Sequence, residues 1–199
     1  MRKLLLRLVL AVTVLALVGG CATAGKDAVD QGSEFTFVSP GGQTRIFYPP
    51  AERKPLASLG GDSLLEEGEQ IGIKDFPNQV VVLNLWGSWC GPCRSEADDL
   101  QAVQDKLGPQ GVQVLGIDVR DSRSAARDFH RDRGLTYPSI FDASGRSLLA
   151  LRNYPRSAVP STIVLDRQHR VAAIFLTEML ESELLPEVQK IASEQAARG

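Results

Sequence analysis

The sequence predicts an α/β fold with one mixed central sheet that is covered by helices on both faces. Residues 80–86 and 112–119 are nearly continuous apolar runs, which is typical of strands buried on both faces. Between them, apolar residues recur at three- and four-residue spacing, as in an amphipathic helix. Two later apolar runs, 161–165 and 171–175, flank a polar turn and predict an antiparallel hairpin. This order of strands and helices is that of a layered α/β domain.

The other elements of this domain follow from capping and turn residues. A helix is expected where Pro or a capping side chain precedes an amphipathic pattern and a glycine ends it. The expected elements are a helix over 92–107, a helix from a cap at Asp121 or Ser122 to Arg133, a strand over 137–141 and a helix over 182–193.

An N-terminal extension over residues 34–75 precedes the α/β domain, which we place at 76–199. Residues 35–38 and 45–48 are β-prone and flank the turn sequence Pro40-Gly41-Gly42, so we expect them to form a β-hairpin. Prolines and glycines over residues 49–61 predict an irregular link between this hairpin and the domain.

The net charge of the chain limits the classes of function that the sequence supports. The chain has 199 residues with 22 basic and 24 acidic side chains, a formal net charge of −2. This composition is that of a folded domain. A near-neutral balance argues against nucleic-acid binding as the main task, because that binding needs a basic face.

Residues 1–20 are predicted to be a signal peptide. A basic start precedes the apolar run 8–18, which is too short for a membrane span of about 20 residues. The stretch Leu17-Val18-Gly19-Gly20-Cys21 resembles a bacterial lipoprotein processing site, so Cys21 is the expected lipid attachment residue and 21–33 a flexible tether. Cleavage near Ala24, which would release a secreted protein, is the alternative. Lipidation at Cys21 and cleavage near Ala24 both predict an extracytoplasmic location. Lipidation would also anchor the protein to the outer face of the cell membrane.

The sequence Trp89-Cys90-Gly91-Pro92-Cys93 stands where the first apolar strand passes into the first helix. A cysteine at a helix N-terminus gains from unpaired backbone N–H groups and the helix dipole, which stabilise its thiolate. The second cysteine lies three residues on, so its sulfur can resolve a mixed disulfide formed at the first. The pattern therefore favours thiol–disulfide exchange.

Other uses of this cysteine pair have less support. A structural zinc site needs four ligands, and His130 and His169 are not at ligand spacing. Covalent haem attachment requires a histidine directly after the second cysteine, and that position is Arg94. A purely structural disulfide would close a very short loop and gain little. We therefore expect no metal and no cofactor.

Residues 81–96, with the sequence Val-Val-Leu-Asn-Leu-Trp-Gly-Ser-Trp-Cys-Gly-Pro-Cys-Arg-Ser-Glu, resemble the TlpA/ResA-like branch of the thioredoxin superfamily. The later sequence Ala158-Val159-Pro160-Ser161-Thr162 resembles the cis-proline segment of that fold. The resemblance covers roughly residues 76–197 and implies a thioredoxin-like fold with a family-type insertion after the second core strand. Family members are extracytoplasmic, membrane-tethered oxidoreductases, and several keep apocytochrome c cysteines reduced.

The resemblance also implies roles for individual residues. Pro160 would be the cis-proline and, with Val159, would dock a substrate peptide. The aromatic ring of Trp89, independently of the resemblance, is expected to shape the apolar surroundings of the sulfurs and to contact substrate as well. Glu96 matches a glutamate that assists proton transfer, and its place on the buried helix face would raise its pKa. Asn84 stands where cytoplasmic thioredoxin has a buried aspartate, and an amide cannot serve as that proton acceptor.

These observations predict a protein-disulfide oxidoreductase in which Cys90 attacks and Cys93 resolves. Its expected partners are protein disulfides or dithiols such as those of apocytochrome c, and a CcdA-type membrane protein would donate electrons. The alternatives are a dithiol oxidase for exported proteins, a thiol peroxidase, and a lipoprotein whose dithiol is a fixed bridge. The sequence does not set the direction of the reaction, because the reduction potential depends on how the fold stabilises each thiolate.

Overall fold

A mixed β-sheet forms the centre of the fold. The computed structural model describes residues 34–38 and 41–194. The strands are β1 Arg45–Phe47, β2 Gly60–Ser63, β3 Gln70–Gly72, β4 Val80–Trp86, β5 Val112–Val119, β6 Ser139–Asp142, β7 Ser161–Leu165 and β8 Val171–Phe175. Within the described residues they form one eight-stranded sheet in the order β1-β8-β7-β4-β5-β6-β2-β3. Strands β4, β5 and β6 are parallel, and β7 runs antiparallel to β4.

In the described part of the chain, three α-helices pack on one face of this sheet. They are α1 Gly91–Leu107, α2 Arg123–Asp132 and α3 Glu181–Ser193. Their buried side chains, among them Leu100 of α1 and Val188 of α3, share one apolar core with Val82 and Val114 of the sheet. The opposite face of the sheet carries Leu83 and is covered by the N-terminal extension and by two 3-10 turns, Ile73–Asp75 and Ser147–Ala150.

The expectation of helices on both faces is therefore wrong for the α-helices, although the thioredoxin-like fold class is confirmed. The reason is topological. Helix α1 connects β4 to β5, and α2 connects β5 to β6, so both crossovers proceed in the same direction along the sheet. Crossovers between parallel strands are right-handed, which places both helices on the same face.

The N-terminal hairpin is also corrected. Residues 35–38 form no strand, and Thr36 makes only a single bridge to Arg152. Strand β1 pairs with β8 and not with residues 35–38. The side chains of Phe35 and Phe37 are buried in the second core. Their backbone N–H groups donate to Pro55 and Arg152, so they are not available for a hairpin ladder.

The hairpin of the extension is formed instead by β2 and β3, which the sequence did not indicate. Glycines at both strands hide the pattern, because glycine has low β-propensity. Here it is required, since a side chain at Gly72 would collide with the backbone of Leu59. Helix α2 holds this hairpin: Arg127 donates to the carbonyl of Leu64 at 2.7 Å, and Arg123 donates to the same carbonyl at 3.2 Å.

Most element bounds in the α/β domain agree with the sequence predictions. Strands β4, β5, β7 and β8 have the predicted bounds, and the helices agree to within one or two residues. The carboxyl ends of β4, β5 and β6 lie at one edge of the sheet, where β7 begins. The predicted signal peptide, tether and Cys21 lie outside the described residues. No helix of the described ranges is long and apolar enough to span a membrane.

Candidate functional site

The cysteine pair lies at the carboxyl end of β4. Residues 87–89 form a loop between this strand and α1, and Cys90 is the N-cap of the helix. Cys90 and Cys93 are joined in a disulfide with an S–S distance of 2.09 Å. The Cys90 Sγ also accepts a hydrogen bond from the backbone N–H of Cys93 at 3.2 Å. An N-cap position offers the same N–H donors and the helix dipole to a thiolate, so the reduced Cys90 is set up as the nucleophile.

Both cysteines are largely shielded from water. Cys90 is 4% exposed and Cys93 is 2% exposed, and both belong to the apolar core between the sheet and the helices. Pro92 in the first turn costs no hydrogen bond, because the N–H groups there have no intrahelical partner. The first turn of α1 contains no acidic residue that would oppose a thiolate at Cys90.

Glu96 lies one turn further along α1 and is 1% exposed. Its carboxylate accepts two hydrogen bonds, from the Asn84 side chain at 2.8 Å and from the Met179 backbone N–H at 3.0 Å. Burial nevertheless raises the pKa of Glu96 to about 7, and the charges of Glu178 and Asp99 add to the rise. A carboxyl with this pKa can both accept and release a proton near neutral pH.

Asn84 explains how Glu96 is oriented. It lies at the middle of β4 on the helix-covered face and pairs in register with Thr162 of β7. Its side-chain amide donates to Glu96 and is 3.3 Å from the Thr162 hydroxyl. The amide cannot exchange a proton as the thioredoxin aspartate does, but it supplies a donor that fixes the position of the Glu96 carboxyl.

The proline segment lies beside the same end of β4. The Val159–Pro160 peptide bond is cis, as the family resemblance implies. The next residue, Ser161, pairs with Leu85 of β4, so the segment borders the loop that leads to Cys90. Val159 is partly buried and packs against the core that contains both cysteines.

The two tryptophans differ in exposure. Trp86 is 4% exposed and its indole N–H donates to the Ser139 hydroxyl at 3.2 Å. Trp89 is 50% exposed beside Cys90, and its indole N–H donates to the Val119 carbonyl at 3.1 Å. The guanidinium of Arg120 lies 4.7 Å from the Trp89 ring and covers part of it.

A buried acid at the same sheet edge was missed by the sequence analysis. Asp118 stands near the end of β5, is 0% exposed, and burial raises its pKa to about 8. The signal was present, since an aspartate in an otherwise apolar strand is unusual.

The two histidines have structural contacts: His130 is hydrogen-bonded to the Tyr137 carbonyl and His169 to the Phe76 carbonyl. Among the described residues, no group of three or more His, Cys, Asp or Glu could hold a metal ion.

A family model described as the AhpC/TSA family matches residues 56–174, a range that contains the cysteine pair, Glu96 and the cis-proline. The chain belongs to the AhpC/TSA family. A thioredoxin family protein from Chlorobium tepidum, 21% identical with a TM-score of 0.64, has the same fold. The thioredoxin-like fold predicted from the sequence is thus confirmed.

Several relatives of this AhpC/TSA protein are more informative about chemistry. A secreted thiol-disulfide isomerase from Corynebacterium glutamicum is 51% identical with a TM-score of 0.78, over 80% of this chain and 98% of that one. A DsbF homologue from Corynebacterium diphtheriae is 46% identical with a TM-score of 0.75, over 79% and 99%. The thiol-disulfide oxidoreductase ResA of Bacillus subtilis is 29% identical over 65% of this chain and 73% of its own length. With the Cys90–Cys93 pair, they confirm the prediction of a thiol–disulfide oxidoreductase.

The buried carboxyl of Glu96 makes the stability of this AhpC/TSA protein depend on pH. An acid whose pKa is higher in the folded state than in the unfolded state destabilises the fold progressively as pH rises between the two values. Below pH 4.5 the stability difference between Glu96→Gln and the wild type in the oxidised state should be constant, and it includes the loss of one acceptor, because an amide oxygen replaces two oxygens that accept from Asn84 and Met179. The variant should gain relative to the wild type up to pH 7, reaching roughly 3 kcal/mol.

Urea unfolding of the oxidised protein at several pH values measures this difference, because the disulfide-bonded cysteines do not titrate. The matched control is Glu67→Gln, which removes an exposed carboxyl near Arg127 and should change stability little at any pH. A stability difference between Glu96→Gln and the wild type that does not change between pH 4.5 and pH 8 would contradict the assignment of a buried, easily protonated carboxyl.

Proposed function

We propose that this protein reduces disulfide bonds in partner proteins outside the cytoplasm. The observation that carries the proposal is the placement of a redox pair, Cys90 and Cys93, at the start of α1 with the protonatable carboxyl of Glu96 one turn away. Such a site holds the three groups that disulfide exchange needs: a nucleophilic thiolate, a resolving thiol and a proton acceptor.

The exchange proceeds in two balanced steps from the reduced protein. The Cys90 thiolate attacks one sulfur of the substrate disulfide, forming a mixed disulfide and releasing the other substrate sulfur as a thiolate. Cys93 then transfers its proton to the Glu96 carboxylate and attacks the Cys90 sulfur, which releases the second substrate thiolate. Two electrons pass to the substrate, and the protein ends with the Cys90–Cys93 disulfide, the state found here.

The substrate would be held by the surfaces that border Cys90. Val159 and Pro160 lie at the start of β7, next to the end of β4, and offer backbone to an extended peptide. Trp89, the residue before Cys90, presents a half-exposed ring against which apolar or aromatic substrate side chains can pack. This assigns Trp89, Val159 and Pro160 to substrate binding.

The roles of the two cysteines are separated by a pair of serine variants. Cys90→Ser should abolish the reduction of insulin disulfides, because no thiolate remains at the helix N-terminus. Cys93→Ser should accumulate a covalent mixed disulfide with the substrate, because the resolving thiol is missing. Non-reducing electrophoresis and mass spectrometry identify this adduct. Retained turnover in Cys90→Ser, or an adduct on Cys93 in that variant, would overturn the assignment.

The direction of the reaction is tested by the midpoint potential of the Cys90/Cys93 couple. A reductant of partner proteins should have a potential near or below about −270 mV, whereas an oxidant should lie near about −120 mV. Equilibration with glutathione or dithiothreitol buffers of known potential, followed by thiol labelling, gives the value. A potential near that of the oxidant would favour the dithiol oxidase, and rapid consumption of peroxide by the reduced protein would favour a thiol peroxidase.

Apocytochrome c is the substrate class that we propose, with a CcdA-type membrane protein as the electron donor. The support is the similarity to proteins named ResA and the resemblance of residues 81–96 to that branch of the superfamily. Incubating the Cys93→Ser variant with an oxidised apocytochrome c peptide is the natural extension of the trapping experiment.

We also propose that the mature protein is a lipoprotein attached through Cys21, at the outer face of the cell membrane. The support is the sequence alone: a basic start, a short apolar run and two glycines before the cysteine. In cell fractionation the wild type should sediment with membranes, whereas Cys21→Ala should not. Recovery of the wild type in the soluble extracytoplasmic fraction, with an N-terminus just after Ala24, would show ordinary secretion instead.

A further inference from the structure

Asp118 is a fully buried acid that the proposed mechanism does not use. It lies on the helix-covered face of the sheet, paired in register with Trp86 of β4 on one side and Phe141 of β6 on the other. Its side chain is 0% exposed, and neither carboxylate oxygen has a hydrogen-bond donor among the described residues. A buried acceptor without a donor is costly, so the carboxyl needs either a cation or a proton.

The charged groups around Asp118 do not provide that cation. Asp121, in the loop after β5, and Asp142, at the end of β6, both add negative charge. Arg123 of α2 is a cation that acts against this, since its charge lowers the pKa of Asp118. Its guanidinium already donates to the carbonyls of Ser63 and Leu64.

Asp121 is the acid that interacts most directly with Asp118. Protonated Asp118 can donate to the Asp121 carboxylate, and both the negative charge of Asp121 and this hydrogen bonding raise the pKa of Asp118. Asp142 already has hydrogen-bond donors of its own, since its carboxylate accepts from the backbone N–H groups of Arg146 and Ser147 and from the Ser147 hydroxyl. The proton on Asp118 is therefore directed to Asp121.

Asp121 in turn holds the loop that leads into the cysteine pair. Its Oδ2 accepts a hydrogen bond from the backbone N–H of Ser88 at 2.6 Å, and its Oδ1 accepts one from the N–H of Ser122 at 2.8 Å. The indole N–H of Trp89 donates to the neighbouring Val119 carbonyl. Through these hydrogen bonds, residues 118–121 hold the loop before Cys90 in position.

We propose that Asp118 and Asp121 share one proton as a carboxyl–carboxylate pair, and that this pair positions the loop before Cys90 and couples the dithiol to pH. Asp118 is a positioning residue that acts through Asp121 and Ser88. Its effect on the dithiol rests on the disulfide-exchange function proposed above, whereas the shared proton does not.

The sign of the coupling follows from charge. When Asp118 loses its proton, a second negative charge appears beside Asp121 and close to the start of α1. That charge disfavours the Cys90 thiolate and weakens the hold of Asp121 on the Ser88 N–H. The reduced state is then less favoured, so the midpoint potential falls. By reciprocity, formation of the thiolate makes Asp118 hold its proton more tightly.

Carbon NMR of protein labelled with ¹³C at the aspartate carboxyls tests the shared proton directly. The oxidised protein is used because its disulfide-bonded cysteines do not titrate. Glu96 gives no signal because only the aspartate carboxyls carry the label. The resonance that disappears in Asp118→Asn should titrate with a midpoint near pH 8. Asp128→Asn, which removes an exposed acid on α2, is the matched control and should leave the Asp118 resonance and its midpoint unchanged. A midpoint near 4 for Asp118 would overturn the proposal.

The amide signal of Ser88 tests the coupling to the loop. In the wild type its nitrogen and proton shifts should follow the Asp118 midpoint. In Asp118→Asn they should show no inflection there, because the amide donates to Asp121 at every pH. Asp128→Asn should behave as the wild type. If Asp118 titrates near pH 8 but Ser88 does not respond, the pair is not a positioning device and the proposal fails.

The potential of the cysteine pair, measured from pH 6 to pH 9, completes the test. The wild type and Asp118→Asn should agree at pH 6, and the wild type should fall below the variant above pH 8. Parallel curves over the whole range would overturn the coupling. Failure of the wild type to reduce insulin would instead overturn the proposed function and would leave the carbon titration unchanged.

Discussion

The rest of the structure depends on the burial of strand β4 on both faces. All seven of its residues are buried, and it pairs in parallel with β5 and antiparallel with β7. The loop that leads to Cys90 begins at the carboxyl end of β4. The neighbouring strands β7 and β5 place the cis-proline segment and Asp118 at the same edge of the sheet. Because the strand has no exposed side, a polar group that it carries or adjoins needs either a partner within the protein or a neutral form. Asn84 therefore bonds to Glu96, and the two acids near the cysteine pair have raised pKa values.

Much of this arrangement could be predicted from the sequence. The apolar runs of β4, β5, β7 and β8 have the bounds expected of them, because strands buried on both faces contain little besides apolar residues. Cys90 could be placed at a helix N-terminus from the strand that precedes it and the amphipathic pattern that follows. The burial of Glu96 followed from its position on the apolar stripe of α1.

The contacts that could not be predicted join distant parts of the chain. The hairpin of β2 and β3 depends on glycines that fit closely against a neighbouring backbone, and such a fit has no periodic signature. The extension is fastened by Arg53, which pairs with Glu194 at 2.6 Å and with the buried Asp166 at 3.4 Å. Asp118 lies in a predicted strand, yet its lack of a donor depends on the side chains that β6, α2 and the following loop bring to it.

The N-terminal extension supplies both borders of the sheet. Strand β1 covers one side of β8, while β2 and β3 lie beyond β6 at the opposite side. Without these three strands, β8 and β6 would each display a row of unpaired N–H and C=O groups, the surface on which edge-to-edge aggregation of β-proteins begins. The open edges of the sheet are instead β1 and β3, which have three residues each, and such short strands offer few N–H and C=O groups to an added chain.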